Sequence, residues 1–209
     1  MNRALAGRDW HLRAFAGLWL IAVTGGLGIL LKYSATPGNA GDPPSHWPTN
    51  SPIRPPSGRP VLVMMAHPRC PCTRASLEEL ARLMARNAGR LDARVVFFAP
   101  PHADEDWWST DLWSGASAIP GVEVVLDRDA IEARRFGTET SGHALLYDGE
   151  GRLLFSGGIT VARGHAGDNA GLGAVEALIR GETTARRRTP VFGCALHDFE
   201  AAAPAGAGL

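Results

Sequence analysis

Cysteine is scarce in this chain: its 209 residues include three, Cys70, Cys72 and Cys194. Three thiols are too few for a disulfide scaffold and leave at least one unpaired, so they read as chemistry and not as framework. An excess of either charge is also lacking, with 21 Lys and Arg against 21 Asp and Glu. That balance removes the electrostatic case for a nucleic-acid partner, and none is expected. Charge is missing altogether from Ala14 to Leu31. What remains, in length and in apolar and charged fractions, suits one domain with a sizeable core plus extensions.

The uncharged run is rich in Leu, Ile, Ala, Val and Gly, with Arg3, Arg8 and Arg13 before it and Lys32 and Tyr33 after it. It approaches the roughly 20 residues that a membrane helix needs. The arginines favour a cytoplasmic segment over 1–13, an anchor over 14–33, and everything beyond on the far side of the membrane. In a bacterium this means a single-pass inner-membrane protein whose domain faces the periplasm. A cleaved signal peptide is the alternative, with Gly38-Asn39-Ala40 as a small-x-small site. The apolar run exceeds the roughly 7–15 residues of a signal core and the cleavage site lies well beyond its end, so an uncleaved anchor is expected. A buried core helix is the third reading, and an all-round apolar surface followed by a linker argues against it. Residues 34–58, with Asp42-Pro43-Pro44 and Arg54-Pro55-Pro56, read as a semi-extended tether, because proline blocks helix interiors and sheet ladders.

Regular structure is expected over 59–181. Val61 to Met65 has the β-branched and apolar character of a buried strand, and Thr73 to Ala88 carries apolar residues at helical spacing. Cys70 and Cys72 therefore fall at a strand-to-helix turn. There the positive end of the helix dipole and unpaired backbone N–H groups favour thiolate. Pro71 suits the first helical position, where its missing N–H costs nothing. The helix is expected to bury Leu77, Leu80, Ala81 and Met84 and to pair Glu78 with Arg82. Further strands are expected over Ala93–Ala99, Val122–Leu126, His143–Tyr147 and Arg152–Ser156, the last two joined by the hairpin signal Asp148-Gly149-Glu150-Gly151. Short helices are expected around Trp107, Trp108 and Trp113 and over Ala130–Phe136, and a final one over Gly171–Arg180 with Asn169 near its N-cap. The order describes an α/β sheet with helices on both faces.

With these elements and the Cys-Pro-Cys turn in place, the chain resembles the thioredoxin-like superfamily over roughly Arg59 to Arg180. Within it the chain looks most like the membrane-anchored exported redoxins of the TlpA and RedB type. The resemblance is carried by His67-Pro68-Arg69-Cys70-Pro71-Cys72-Thr73, Thr140-Ser141-Gly142-His143, Ser156-Gly157-Gly158-Ile159-Thr160 and Thr189-Pro190-Val191-Phe192-Gly193-Cys194. It implies a thioredoxin-like fold behind one transmembrane helix, thiol–disulfide redox chemistry, exported protein thiols or disulfides as partners, and no cofactor. It also places Gly142 and His143 beside the thiols. Two departures stand out: the motif is Cys-x-Cys, and Ser141-Gly142 occupies the place where such folds usually hold a cis-proline. Both point to a specialised oxidant or a soft-metal site more than to a generalist reductase.

Three readings of the site follow. In the redox reading Cys70 is the nucleophile, and Cys72 or Cys194 resolves the mixed disulfide. A Cys70–Cys72 bond needs distorted geometry, since helical residues i and i+2 do not face one another. Cys194 lies in the extension 182–209, where Val191, Phe192 and Leu196 offer an apolar means of docking. An imidazolium at His67, and Arg69, would lower a thiol pKa further. In the second reading His67, Cys70 and Cys72, joined by Cys194 and His197, hold a soft metal such as copper or zinc. In the third the cysteines are structural and the domain is a non-catalytic interaction module.

Overall fold

The computed structural model describes residues 2–196. The chain separates into two compact units at Thr36/Pro37. The first is helix α1 (Asn2–Ala35). Its stretch Trp10–Ala35 is long and apolar enough to cross a membrane and has no buried share. Phe15, Leu18, Ile21, Ile29 and Leu31 are all exposed. A helical stretch that is apolar on every side and has no buried share suits a lipid environment and is not packed as a core helix.

The second unit holds β1 (Val61–Ala66), α2 (Pro71–Arg86), β2 (Asp92–Ala99), α3 (Glu105–Trp108), α4 (Asp111–Ser117), β3 (Val122–Arg128), α5 (Ile131–Arg135), β4 (His143–Tyr147), β5 (Leu153–Gly158) and α6 (Ala170–Ile179). They form one sheet in the order β3-β2-β1-β4-β5. β1, β2 and β3 are parallel, while β4 is antiparallel to both β1 and β5. A parallel pair needs a crossover and an antiparallel pair only a turn, so α2 spans β1 to β2 and Asp148–Gly151 closes the hairpin. This mixed sheet with its first helix after β1 and its last after β5 is the thioredoxin-like fold.

Alternation along β1 splits the core. Leu62, Met64 and Ala66 point to one face, where Leu77, Leu80, Leu83 and Met84 of α2 pack with Leu172, Val175 and Leu178 of α6. Val61, Val63 and Met65 point to the other, against Val96, Ala133, Phe136, Tyr147 and Leu196. α5 has five residues, too short to cover that second face. Trp47 and Ile53 from the proline-rich stretch complete it.

The stretch expected to be a free tether is therefore laid along the domain. Trp47 meets Phe136 and Tyr147 edge to face at centroid distances of 5.1 and 5.2 Å. The Trp47 backbone N–H donates to Gly151 O at 2.8 Å, as Leu153 N does to Ser45 O at the same distance. Proline forbids this stretch a ladder of its own but leaves its carbonyls free to accept from the domain. Trp47→Ala is expected to destabilise the domain by about 3 kcal/mol. The check is a lowered urea midpoint of the full chain in detergent, with the slope unchanged.

Candidate functional site

The motif His67–Thr73 folds as its local chemistry requires. Cys70 is the N-cap of α2, with φ −91° and ψ 119°, and Pro71 opens the helix. The turn is closed by Cys70 N donating to His67 O at 3.1 Å. Thr73 Oγ1 donates to His67 O at 3.0 Å and lies 2.9 Å from Ser141 Oγ. Ser141 Oγ also accepts from His67 N at 2.9 Å. Ser141, in the place usually held by proline, thus ties the cysteine turn to the start of β4. Gly142, at φ +85°, donates its N–H to Met65 O at 2.7 Å.

The extension after α6 returns to this point. Ser156 bridges Arg188 in parallel, and Thr140 bridges Ala195 antiparallel. Ser141 N donates to Cys194 O, and Leu196 N to Glu139 O, both at 2.8 Å. Val191 and Leu196 are fully buried, as the docking expectation required. The approach is close enough to demand glycine. A Cβ on Gly193 would lie 1.9 Å from Ser141 O, and one on Gly157 would lie 2.2 Å from Thr189 Oγ1.

This return brings the third thiol to the first two. All three cysteines are free, with Cys70 buried and Cys72 and Cys194 half-buried. The Cys194 thiol donates to Cys70 and is the largest influence pulling the Cys70 pKa down, to about 5. Burial opposes it, and the amides of Cys194, Cys72 and Thr73 assist. The Cys70 sulfur makes no capping bond of ordinary geometry to the helix, so those amides act as dipoles near an anion more than as a formal cap. As the donor in this pair, Cys194 is pushed above the ordinary thiol range. Cys72 is raised by burial first, then by the charge on Cys70 and its hydrogen bond to it, with Arg163 opposing. The three titrate as a set whose first negative charge falls on Cys70.

Several expected neighbours have other roles. His67 stacks on Phe98 at 5.7 Å and meets Trp107 edge-on at 5.5 Å. Its Nδ1 accepts from Arg69 N at 3.1 Å, and burial is the main influence lowering its pKa. It is therefore neutral at neutral pH, and the imidazolium expected to activate Cys70 is not what does so. Arg69 turns to α3, its guanidinium 5.2 Å from the Trp107 ring centroid and its Nε donating to Trp107 O. His143, expected beside the thiols, is buried with Nε2 2.8 Å from Ser156 Oγ, and burial pushes its pKa down to about 4. It links β4 to β5. Among the described residues no three His, Cys, Asp or Glu side chains are placed to hold a metal ion, so the geometry does not assemble the set His67, Cys70 and Cys72. His197 lies outside the described residues.

Arg163 is the site residue that sequence reasoning missed. Its guanidinium donates to Gly193 O and bonds the Cys72 sulfur. The loop carrying it is fixed by Gly167 N donating to Glu79 Oε1 at 2.6 Å and by Asn169, which caps α6 through Leu172 N and holds Ile159 O. Glu79 is itself fully buried and paired with Arg82 at 2.7 Å, where the sequence had suggested Glu78. Nothing in the loop sequence sets Arg163 apart from the chain's other arginines, since its partners lie far off along the chain. A cavity of about 640 Å³ between Met84, Leu91 and Ile119 contains none of these groups. The thiols define the site, not the volume.

No family model matches the chain, and no curated protein matches it. Among solved structures it is similar to a hypothetical protein from Sinorhizobium meliloti 1021, with TM-score 0.57, 20% identity, and 78% of this chain and 97% of that one covered. An uncharacterised conserved protein from Geobacillus kaustophilus also gives 0.57, with 14% identity and coverage of 78% and 92%. A secreted disulfide oxidoreductase from Mycobacterium tuberculosis, homologous to E. coli DsbE, gives 0.43, with 15% identity and coverage of 60% and 83%. At these identities the first two likenesses, each with TM-score 0.57, speak to the fold alone.

Proposed function

We propose that the chain is a membrane-tethered thiol–disulfide redox protein in which Cys70 is the nucleophile and Cys194 the resolving thiol. The carrying observation is the return of the segment bearing Cys194 to the cysteine turn, where Ser141 N donates to Cys194 O at 2.8 Å and Thr140 bridges Ala195, with the Cys194 thiol the largest influence on Cys70. A thiolate attacks a disulfide sulfur, the released partner leaves as a thiol, and a second thiol must then displace the mixed disulfide. Cys70 is the group held as thiolate, and Cys194 is the one already against it. Cys72, raised and beside Arg163, stands next to this pair. The apolar stretch of α1 and the arginines near its N-terminal end support a single inner-membrane pass with the domain in the periplasm, where disulfides persist. Exported protein thiols or disulfides are the partners this reading implies.

Mass-spectrometric thiol trapping of the exported protein, with each cysteine changed in turn, tests it. Cys194→Ser is expected to accumulate mixed disulfides on Cys70, Cys72→Ser to retain a Cys70–Cys194 bond, and Cys70→Ser to form neither. Three thiols that stay reduced and unreactive in cells would end the redox reading.

A further inference from the structure

Closing a disulfide on Cys70 is a choice between two thiols. Cys72 lies two residues along, in the first turn of α2, and Cys194 arrives on the returning segment, where Ser141 N donates to Cys194 O. Cys70 is 1% exposed, so a partner's sulfur reaches it only when that segment lifts. Which thiol then displaces the partner depends on what the segment returns to. Arg163 is fixed independently of it. His165 N donates to Ala162 O at 3.3 Å and closes the turn around Arg163, with His165 Nδ1 2.7 Å from Arg163 O. Further along the same loop Gly167 N donates to the buried Glu79 of α2 at 2.6 Å, and Asn169 Nδ2 to Ile159 O at 2.8 Å. None of these bonds involves the returning segment. From this fixed position Arg163 Nη1 donates to the carbonyl of Gly193, the residue before Cys194. The same guanidinium bonds the Cys72 sulfur.

We propose that Arg163 is a positioning residue that directs disulfide closure on Cys70 to Cys194 and away from Cys72. The inference rests on the thiol redox reading above and adds the residue that selects between its two resolving thiols. Receiving the Gly193 carbonyl seats Cys194 against Cys70, while the bond to Cys72 holds the competing sulfur. A guanidinium presents donors in a planar fork and can serve two acceptors in fixed directions, which a single ammonium on a flexible stem does not. In the reaction the Cys70 thiolate attacks one sulfur of R–S–S–R, that bond breaks, and one R–S⁻ leaves with the proton of the Cys194 thiol. The Cys194 thiolate then attacks the Cys70 sulfur of the mixed disulfide. The Cys70–Cys194 bond forms, and the second R–S⁻ leaves and takes a proton from solvent. Two electrons pass from the two cysteine sulfurs to the partner disulfide. Closure through Cys72 has the same balance, so the oxidant does not decide between them and position does.

Loss of the cation and mere loosening of the loop move Cys72 in opposite directions. Burial is the largest influence raising the Cys72 pKa, and Arg163 opposes it. Removing the guanidinium alone therefore raises that pKa further, whereas opening the site to water lowers it toward the ordinary thiol value. The direction separates a positioning role from a structural one.

The test mixes the reduced full chain in detergent with a limiting amount of oxidised glutathione at pH 7 without air. The reaction is quenched in acid and the linked peptides are identified by mass spectrometry. The wild-type product is expected to be Cys70–Cys194. In Arg163→Met the ratio of Cys70–Cys194 to Cys70–Cys72 is expected to fall by about tenfold or more, the weight of one hydrogen bond from a charged donor, and the pH midpoint for alkylation of Cys72 to rise. Arg163→Lys, which keeps the charge without the fork, is expected to lie between the two on both readouts. A fall of less than about tenfold in Arg163→Met, or a Cys72 midpoint that does not rise, overturns the proposal. Should Arg163→Met not fold, Arg163→Lys is read alone, and a wild-type ratio in it overturns the proposal. If wild type closes Cys70–Cys194 and Arg163→Met does so in the same proportion, this inference fails and the thiol–disulfide reading stands. If wild type forms no Cys70–Cys194 bond, both fail.

Discussion

Cys194→Ala raises the pH midpoint for alkylation of Cys70 from about 5 by about one unit or more. The substitution keeps the backbone amide of residue 194 and removes only the thiol, whose hydrogen bond is the largest influence favouring the Cys70 anion. The amides of Cys72 and Thr73 then face the opposing effect of burial without it. Cys194→Ser keeps a donor and is expected to fall between the two. A midpoint that does not move in Cys194→Ala would falsify the claim that the Cys194 thiol holds Cys70 ionised.

The same shift has a consequence for stability. Cys70 ionises at a lower pH folded than unfolded, so its contribution is complete above the ordinary thiol value of about 8.5 and is lost as pH falls through about 5. Cys72 and Cys194 are shifted the other way. Their contribution is present below the ordinary value and lost as pH rises past it. The reduced chain is thus expected to gain stability from pH 5 toward about 8 and to lose it beyond. His143, held neutral by burial with a pKa of about 4, adds its own loss in acid. Comparing wild type with Cys70→Ala at each pH cancels that term, and the oxidised pair should lack the thiol contribution altogether.

Gly193→Ala has the second large effect. Its Cβ would meet the Ser141 carbonyl oxygen at 1.9 Å and the carbonyl carbon at 2.8 Å. Both are backbone atoms of a turn fixed by Thr73 and Met65, so no side chain can yield. The segment carrying Cys194 must shift instead, at a cost of about 1–3 kcal/mol. The hydrogen bond on Cys70 is lost with it. Alkylation of both Cys70 and Cys194 in the folded chain is expected to rise by about tenfold or more, following the opened population. Gly173→Ala is the control. In α6 a Cβ there meets nothing, and alanine is the better helix former, so reactivity should be unchanged and stability equal or higher. Equal reactivity in the two variants would mean that close approach at Gly193 does not seat the third thiol.

The sheet was largely legible because its signals are local. His143–Tyr147 is a strand over the expected residues, and β1 runs one residue beyond the expected Met65. The Cys-Pro-Cys turn falls at a helix start because proline at the first helical position allows little else. What escaped depends on partners distant in sequence. Trp47 sits among prolines with no periodicity to mark it as core, and only Phe136 and Tyr147 give it that role. Arg163 becomes a site residue only when Gly193 returns to meet it. His67 showed the opposite failure. Its place beside the cysteines suggested a charge, but Phe98 and Trp107 exclude water from the ring and keep it neutral.

Strand β5 lies at the end of the sheet order, a position that ordinarily leaves a row of amides and carbonyls open to any passing strand. Here the chain's own flanks take those groups. Ser45 accepts from Leu153 at one end, while at the other Arg187 and Pro190 accept from Ser156 and Gly158. The stretch that presents Cys194 is thus continuous with one that seals an edge. A form of the protein that let this stretch go would uncover a template for self-association as well as a thiolate, so holding it down protects solubility as much as reactivity.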